Sequence, residues 1–165
     1  GNHYAMTKYA GELAALRAGA TVLRTNFFGV SPHATRRSLS DWIFSALKED
    51  RPIQVFEDVR FSPLEMGTLC SVINKVTQYR HSGVFNLGSL EGMSKSDFAF
   101  AFAQSLGLSS ARFGRVNAHQ SDLLRTWRPK NMCMDSSHFE ATFNVRLPTL
   151  QSEIERSAKD YRAQL

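Results

Sequence analysis

The run Thr21-Val22-Leu23-Arg24-Thr25 constrains this chain more than any other stretch. It is β-branched and apolar, follows a long helical pattern that stops at Gly19, and is short enough for a buried parallel strand. A parallel strand needs a crossover to reach its neighbour. The rest of the sequence supplies the means, because amphipathic helices alternate with further short apolar strands. That alternation argues an α/β fold. With 165 residues, 42% of them hydrophobic, the chain can bury one ordinary core.

Upstream of the strand, the pattern predicts a helix over residues 4–18, with Asn2 as N-cap and Gly19 as stop. Tyr4 and Lys8 stand four residues apart, so they share one face. A phenol with an ordinary pKa of about 10 is a poor proton donor or base at neutral pH. An ammonium a few ångströms away favours the phenolate and suits such a group to proton transfer with a carbonyl or alcohol. The spacing makes Tyr4 and Lys8 a candidate acid/base pair, although the same spacing also occurs on solvated helix faces. Downstream, Asn26-Phe27-Phe28-Gly29 leaves the strand at its C-terminal end, where open α/β sheets place ligands. Phe27 and Phe28 equally fit an apolar core.

A loop is expected over 30–37 and a helix over 38–49, presenting Leu39, Trp42, Ile43, Ala46 and Leu47 on one face. Pro52 breaks that helix. Residues 53–57 alternate like a strand, 58–63 lead to a turn, and a third helix is expected over 64–79. Residues 84–87 read as a strand. Ser94 and Asp97 form a capping box for the apolar helix 98–106, closed by Gly107, in which Phe98, Phe100 and Phe102 are core. An edge strand over 112–116, a helical turn over 119–124 and an ordered loop over 127–130 follow. Ser136 or Ser137 caps a short helix through 143, and Thr149 with Glu153 starts a last helix toward 161.

The two runs Tyr4-Ala5-Met6-Thr7-Lys8-Tyr9-Ala10-Gly11-Glu12 and Val22-Leu23-Arg24-Thr25-Asn26-Phe27-Phe28-Gly29 together resemble the extended short-chain dehydrogenase/reductases. Within that superfamily they look most like the dTDP-4-dehydrorhamnose reductase branch. Asp58-Val59-Arg60-Phe61-Ser62-Pro63 is similar to that branch's Asp-x-x-x-Ser-Pro segment. The stretch from Arg128-Pro129 through Asn131 to Asp135 is similar to its late Arg-Pro-x-Asn-x-x-Leu-Asp. The resemblance implies a Rossmann-type fold with a small α/β substrate-binding domain. Residues 1–37 would be a remnant of the NAD(P)-binding domain and 38–165 the substrate-binding domain.

The resemblance also implies an activity, hydride transfer from NADPH or NADH to the 4-keto group of a nucleotide-linked sugar. Tyr4 would protonate the alkoxide, and Lys8 would assist it and hydrogen-bond the nicotinamide ribose. Asn26 and Phe27 fall where the family meets sugar and nicotinamide, though the reductase branch usually has Ser-Trp there. Arg60 and Arg128 are candidates for the substrate diphosphate, since guanidinium forks match phosphate oxygens. Arg24, inside the strand, reads as structural. No Gly-x-x-Gly-x-x-Gly turn links a strand to a helix, so the main dinucleotide cradle is missing. The chain therefore reads as the C-terminal part of such a reductase, inactive by itself, with a sheet edge and an apolar helix face left to be covered by an oligomer or domain swap.

A sugar-nucleotide epimerase or dehydratase, and a non-catalytic regulatory relative, are the competing readings. A formal charge of +5 suits an anionic ligand, and no basic run marks a nucleic-acid face. Cys70 and Cys133 lack metal-ligand or redox spacing, so no metal is expected. No apolar run approaches a membrane span, and a cytoplasmic setting is expected.

Overall fold

The computed structural model describes residues 3–33, 35–118 and 129–165. Helix α1 (His3–Arg17) precedes strand β1 (Thr21–Thr25), as the sequence predicts. Gly19 and Gly107 close α1 and α4 (Lys95–Leu106) at φ 74° and 72°, a left-handed conformation that a Cβ would strain. The expected N-cap Asn2 and the turn over 119–124 lie outside the described residues, as does part of the 127–130 loop.

Strand β1 pairs in parallel with β6 (Gly83–Leu87), in a register that sets Thr21 opposite Gly83 and Thr25 opposite Leu87. The edge strand expected over 112–116 is β8 (Phe113–Val116), parallel to β3 (Ile53–Phe56). Two-residue strands were not legible, because so short a run carries no period. Phe27–Phe28 forms β2, which runs parallel to β5 (Leu64–Glu65). The segment expected to be only a turn contains β4 (Arg60–Phe61), flanked by β7 (Met93–Ser94) and β9 (Asn131–Met132). Helix α3 (Met66–Val76) consequently starts two residues later than expected, at a cap made by Glu65.

Capping explains where the other helices begin. Ser38 and Asp41 form a reciprocal capping box on α2 (Leu39–Lys48). On α4 the Ser94 hydroxyl accepts from the Asp97 amide at 3.0 Å and donates to its carboxylate at 2.7 Å. Ser136 precedes α5 (Ser137–Phe143) without a side-chain cap bond, and the Asp135 carboxylate accepts from the Ser137 amide instead. Thr149 caps α6 (Leu150–Arg162) through the Ser152 amide. Glu153 does not complete that cap as the spacing suggested, because its carboxylate is turned into the protein.

Two apolar cores result. The larger joins α2, α4, α6 and β3, and is threaded by an aromatic chain from Phe28 to Phe98 (centroids 4.9 Å), Phe102 (6.1 Å), Tyr161 (5.1 Å) and Phe44 (4.9 Å). The smaller joins α3, α5 and β6 around Phe85, Phe139 and Phe143. Phe98 and Phe102 are buried as expected, whereas Phe100 is half-buried.

The Tyr161 hydroxyl, itself buried, donates to Asp41 Oδ1 at 2.6 Å and lies 3.0 Å from Ser40 Oγ. Burial alone would raise the Asp41 carboxyl. Donation from Tyr161, from the Ser38 amide and hydroxyl and from the Ser31 amide outweighs it and holds the group below its ordinary value. Burial, reinforced by Asp41, pushes the Tyr161 phenol up. Glu153 shows the opposite balance. Its Oε2 accepts from the Glu65 amide at 2.7 Å and its Oε1 from the Thr68 hydroxyl at 2.9 Å. Burial nevertheless raises its carboxyl, helped by the Glu65 charge.

These directions give opposite pH signatures. Tyr161→Phe should cost about 1.5–3 kcal/mol in urea unfolding at neutral pH, as expected for a hydrogen bond to a charged acceptor. Because the folded Asp41 carboxyl is depressed, that penalty is present above its unfolded value and shrinks as pH falls through the folded one. Glu153→Gln should gain stability relative to the parent as pH rises above the unfolded carboxylate's ordinary value and through the raised folded one, because Glu153 must then ionise in a buried site. Paired denaturation curves at several pH values check both.

Candidate functional site

Helix α1 lies beside β1 and the two enclose a cleft of about 940 Å³. Tyr4, Lys8 and Glu12 line it from one side, β1 from the other, and Phe27 and Met134 complete it. The Tyr4–Lys8 spacing does bring the two side chains together, with the Lys8 ammonium nitrogen 5.7 Å from the Tyr4 ring centroid. Both are exposed, as is the whole first half of α1.

The end of β1 is fixed by backbone bonding. The Asn26 carbonyl accepts from the Leu64 amide at 3.1 Å, just where β2 begins to pair with β5. Alternation along β2 then separates the two phenylalanines. Phe28 is 1% exposed and enters the core, whereas Phe27 is 55% exposed and faces the cleft. The core reading holds for Phe28 and fails for Phe27. Asn26 Oδ1 is buried and meets no hydrogen-bond donor among the described residues. Asn26 itself is not among the residues that line the cleft, although it sits between Thr25 and Phe27, which do.

Arg24, read from its place in the strand as structural, is paired with Glu12 of α1. Its Nε and Nη2 donate to the two Glu12 carboxylate oxygens at 2.8 and 2.6 Å. Those bonds hold the Glu12 carboxyl below its ordinary value and raise the Arg24 guanidinium further. Arg60 does not line the cleft. It sits on β4 and donates to the Gly92 carbonyl at 2.5 Å. Arg128 lies outside the described residues.

Met134 lines the cleft and sequence reasoning missed it. Met134 arrives from the segment between β9 and α5, held by donation of its amide to Ser62 Oγ at 2.9 Å. Nothing in the spacing of a lone methionine signals such a position. Glu12 was legible as part of the Gly-Glu pattern, and only its partner was hidden.

The model of the RmlD substrate binding domain matches residues 1–163. The chain belongs to that family. The match bears out the resemblance carried by the four motifs. The chain is 25% identical over 170 residues to a probable low-salt glycan biosynthesis reductase of Haloferax volcanii, covering 96% of this chain and 55% of that protein. Its fold matches dTDP-4-dehydrorhamnose reductase of Bacillus anthracis, solved in complex with NADP, at a TM-score of 0.83 and 19% identity, over 96% of this chain and 55% of that one. The reductase of Yersinia enterocolitica matches equally, at 0.83 and 19%, over 97% and 57%. The chain thus has the Rossmann-type α/β fold of these reductases and spans about half the length of the relatives it matches. No helix among the described residues is long and apolar enough to cross a membrane.

Proposed function

We propose that this chain is the substrate-binding portion of an NAD(P)-dependent nucleotide-sugar reductase that reduces a 4-keto sugar. The observation that carries the reading is the convergence of Tyr4 and Lys8 on the cleft that Phe27 also faces, beside the Asn26 end of β1. A phenol, an ammonium and an exposed aromatic ring suit the ribose and ring of a nicotinamide. The cradle for its pyrophosphate is not in this sequence, so residues 1–37 act as part of a dinucleotide-binding domain and 38–165 as the substrate-binding domain. By itself the chain is inactive, and the complete enzyme works in the cytoplasm.

The dinucleotide, when bound, supplies the hydride. Tyr4 gives its phenolic proton to the sugar oxygen, so that a C=O bond becomes CH–OH. Lys8 places positive charge beside the phenol and offers N–H donors to the ribose. The Asn26 side chain accepts from a sugar hydroxyl. Arg60 keeps N–H donors beyond the one on Gly92 and, with Arg128, binds the substrate diphosphate.

Tyr4→Phe in a protein completed with its dinucleotide-binding half should lower turnover by about 10²–10⁴-fold, the usual scale of general acid catalysis, and leave dinucleotide affinity nearly unchanged. Retained turnover would remove Tyr4 as the acid. The exposed Tyr4, Met6, Tyr9 and Leu13 on α1, and the edge of β1 left unpaired among the described residues, support a homo-oligomer or domain-swapped assembly of this chain. Light scattering at micromolar concentration should show a species larger than the monomer, and a monodisperse monomer overturns that expectation.

A further inference from the structure

Helix α1 is attached by one end. None of its residues is buried, and only Glu12, Ala15 and Leu16, all in its second half, are even half-buried. Tyr4 stands eight residues before Glu12, roughly 12 Å along the axis at 1.5 Å per residue. Lys8 lies between them, four residues from each, on the same face. An ammonium so placed has two possible partners, the Tyr4 phenol on one side and the Glu12 carboxylate on the other. Lys before Glu at this spacing is a usable helix ion pair. The structure nonetheless pairs Glu12 with Arg24, which engages both carboxylate oxygens from β1. The Glu12 side chain is only 11% exposed, so a carboxylate that lost Arg24 there would recruit the nearest other cation. Lys8, four residues away on the same helix face, is within reach.

We propose that Arg24 is a positioning residue that locks Glu12 and so reserves Lys8 for Tyr4. The strand β1 is itself fixed by its parallel register with β6, and the guanidinium extends that rigidity to the helix. The role rests on the reading of Tyr4 as the proton donor, but the lock is a property of this chain and can be tested without turnover.

The test compares Arg24→Gln with the double variant Glu12→Gln/Arg24→Gln. In the 165-residue chain, magnetisation-transfer contacts between the Lys8 side-chain methylenes and the Tyr4 ring should weaken in Arg24→Gln and return in the double variant, which has no competing carboxylate. In the protein completed with its dinucleotide-binding half, Arg24→Gln should lower kcat by at least about tenfold with little change in KM, within the loss that ångström-scale misplacement produces. The double variant should recover most of that loss. A merely structural role for the pair predicts that the double variant is no better than Arg24→Gln in either measurement, and that result overturns the proposal. If Tyr4→Phe retains turnover while the Lys8–Tyr4 contacts follow the expected pattern, the acid assignment fails and the lock stands.

Discussion

One buried carboxylate joins the two cores of this protein. Glu153, on α6, projects from the larger aromatic core and accepts from the Glu65 amide and the Thr68 hydroxyl at the head of α3, which belongs to the smaller one. Glu65 in turn caps α3, accepting from the Gly67 and Thr68 amides at 2.8 and 3.1 Å, while its backbone belongs to β5. Because β5 pairs with β2, this junction also fixes Phe27 and Phe28. Burial above all, helped by the Glu65 charge, makes Glu153 hold its proton more tightly than an exposed glutamate. The arrangement persists because each oxygen meets a donor whose loss would leave a buried amide or hydroxyl unpaired.

The cleft inherits its geometry from that frame through backbone pairing. Parallel registers place the ends of β1 and β2 together, and alternation along β2 turns one phenylalanine inward and the other outward. The opposite wall is built differently. Helix α1 has no buried face among the described residues, and its orientation rests on the fork between Arg24 and Glu12 and on the half-buried Ala15 and Leu16. A rigid strand and a lightly attached helix carrying Tyr4 and Lys8 therefore face each other. The placement of Tyr4 and Lys8 rests more on an ion pair than on packing.

Much of this was legible locally. The β-branched run at Thr21–Thr25, the serines ahead of α2 and α4 and the glycines behind α1 and α4 act within a few residues of themselves, so sequence order determines them. The i, i+4 relation of Tyr4 and Lys8 follows from helix geometry alone. The two-residue strands were not legible, because pairing with a distant partner, not any periodicity, makes them strands. For the same reason Met134 gave no sign of reaching the cleft, and Glu153 read as a helix cap when it is a buried acceptor.

The α/β alternation, the C-terminal stops of α1 and α4, the cap of α2 and the family motifs follow from the sequence alone, because capping, periodicity and side-chain spacing are short-range effects. Tertiary packing was needed to show that Phe27 faces the cleft while Phe28 enters the core, that Asn26 buries an acceptor with no donor among the described residues, and that Glu12 pairs with Arg24 and not with its helical neighbour Lys8. Each of these depends on which distant strand or helix lies alongside, and that is fixed by the burial of apolar surface over the whole chain.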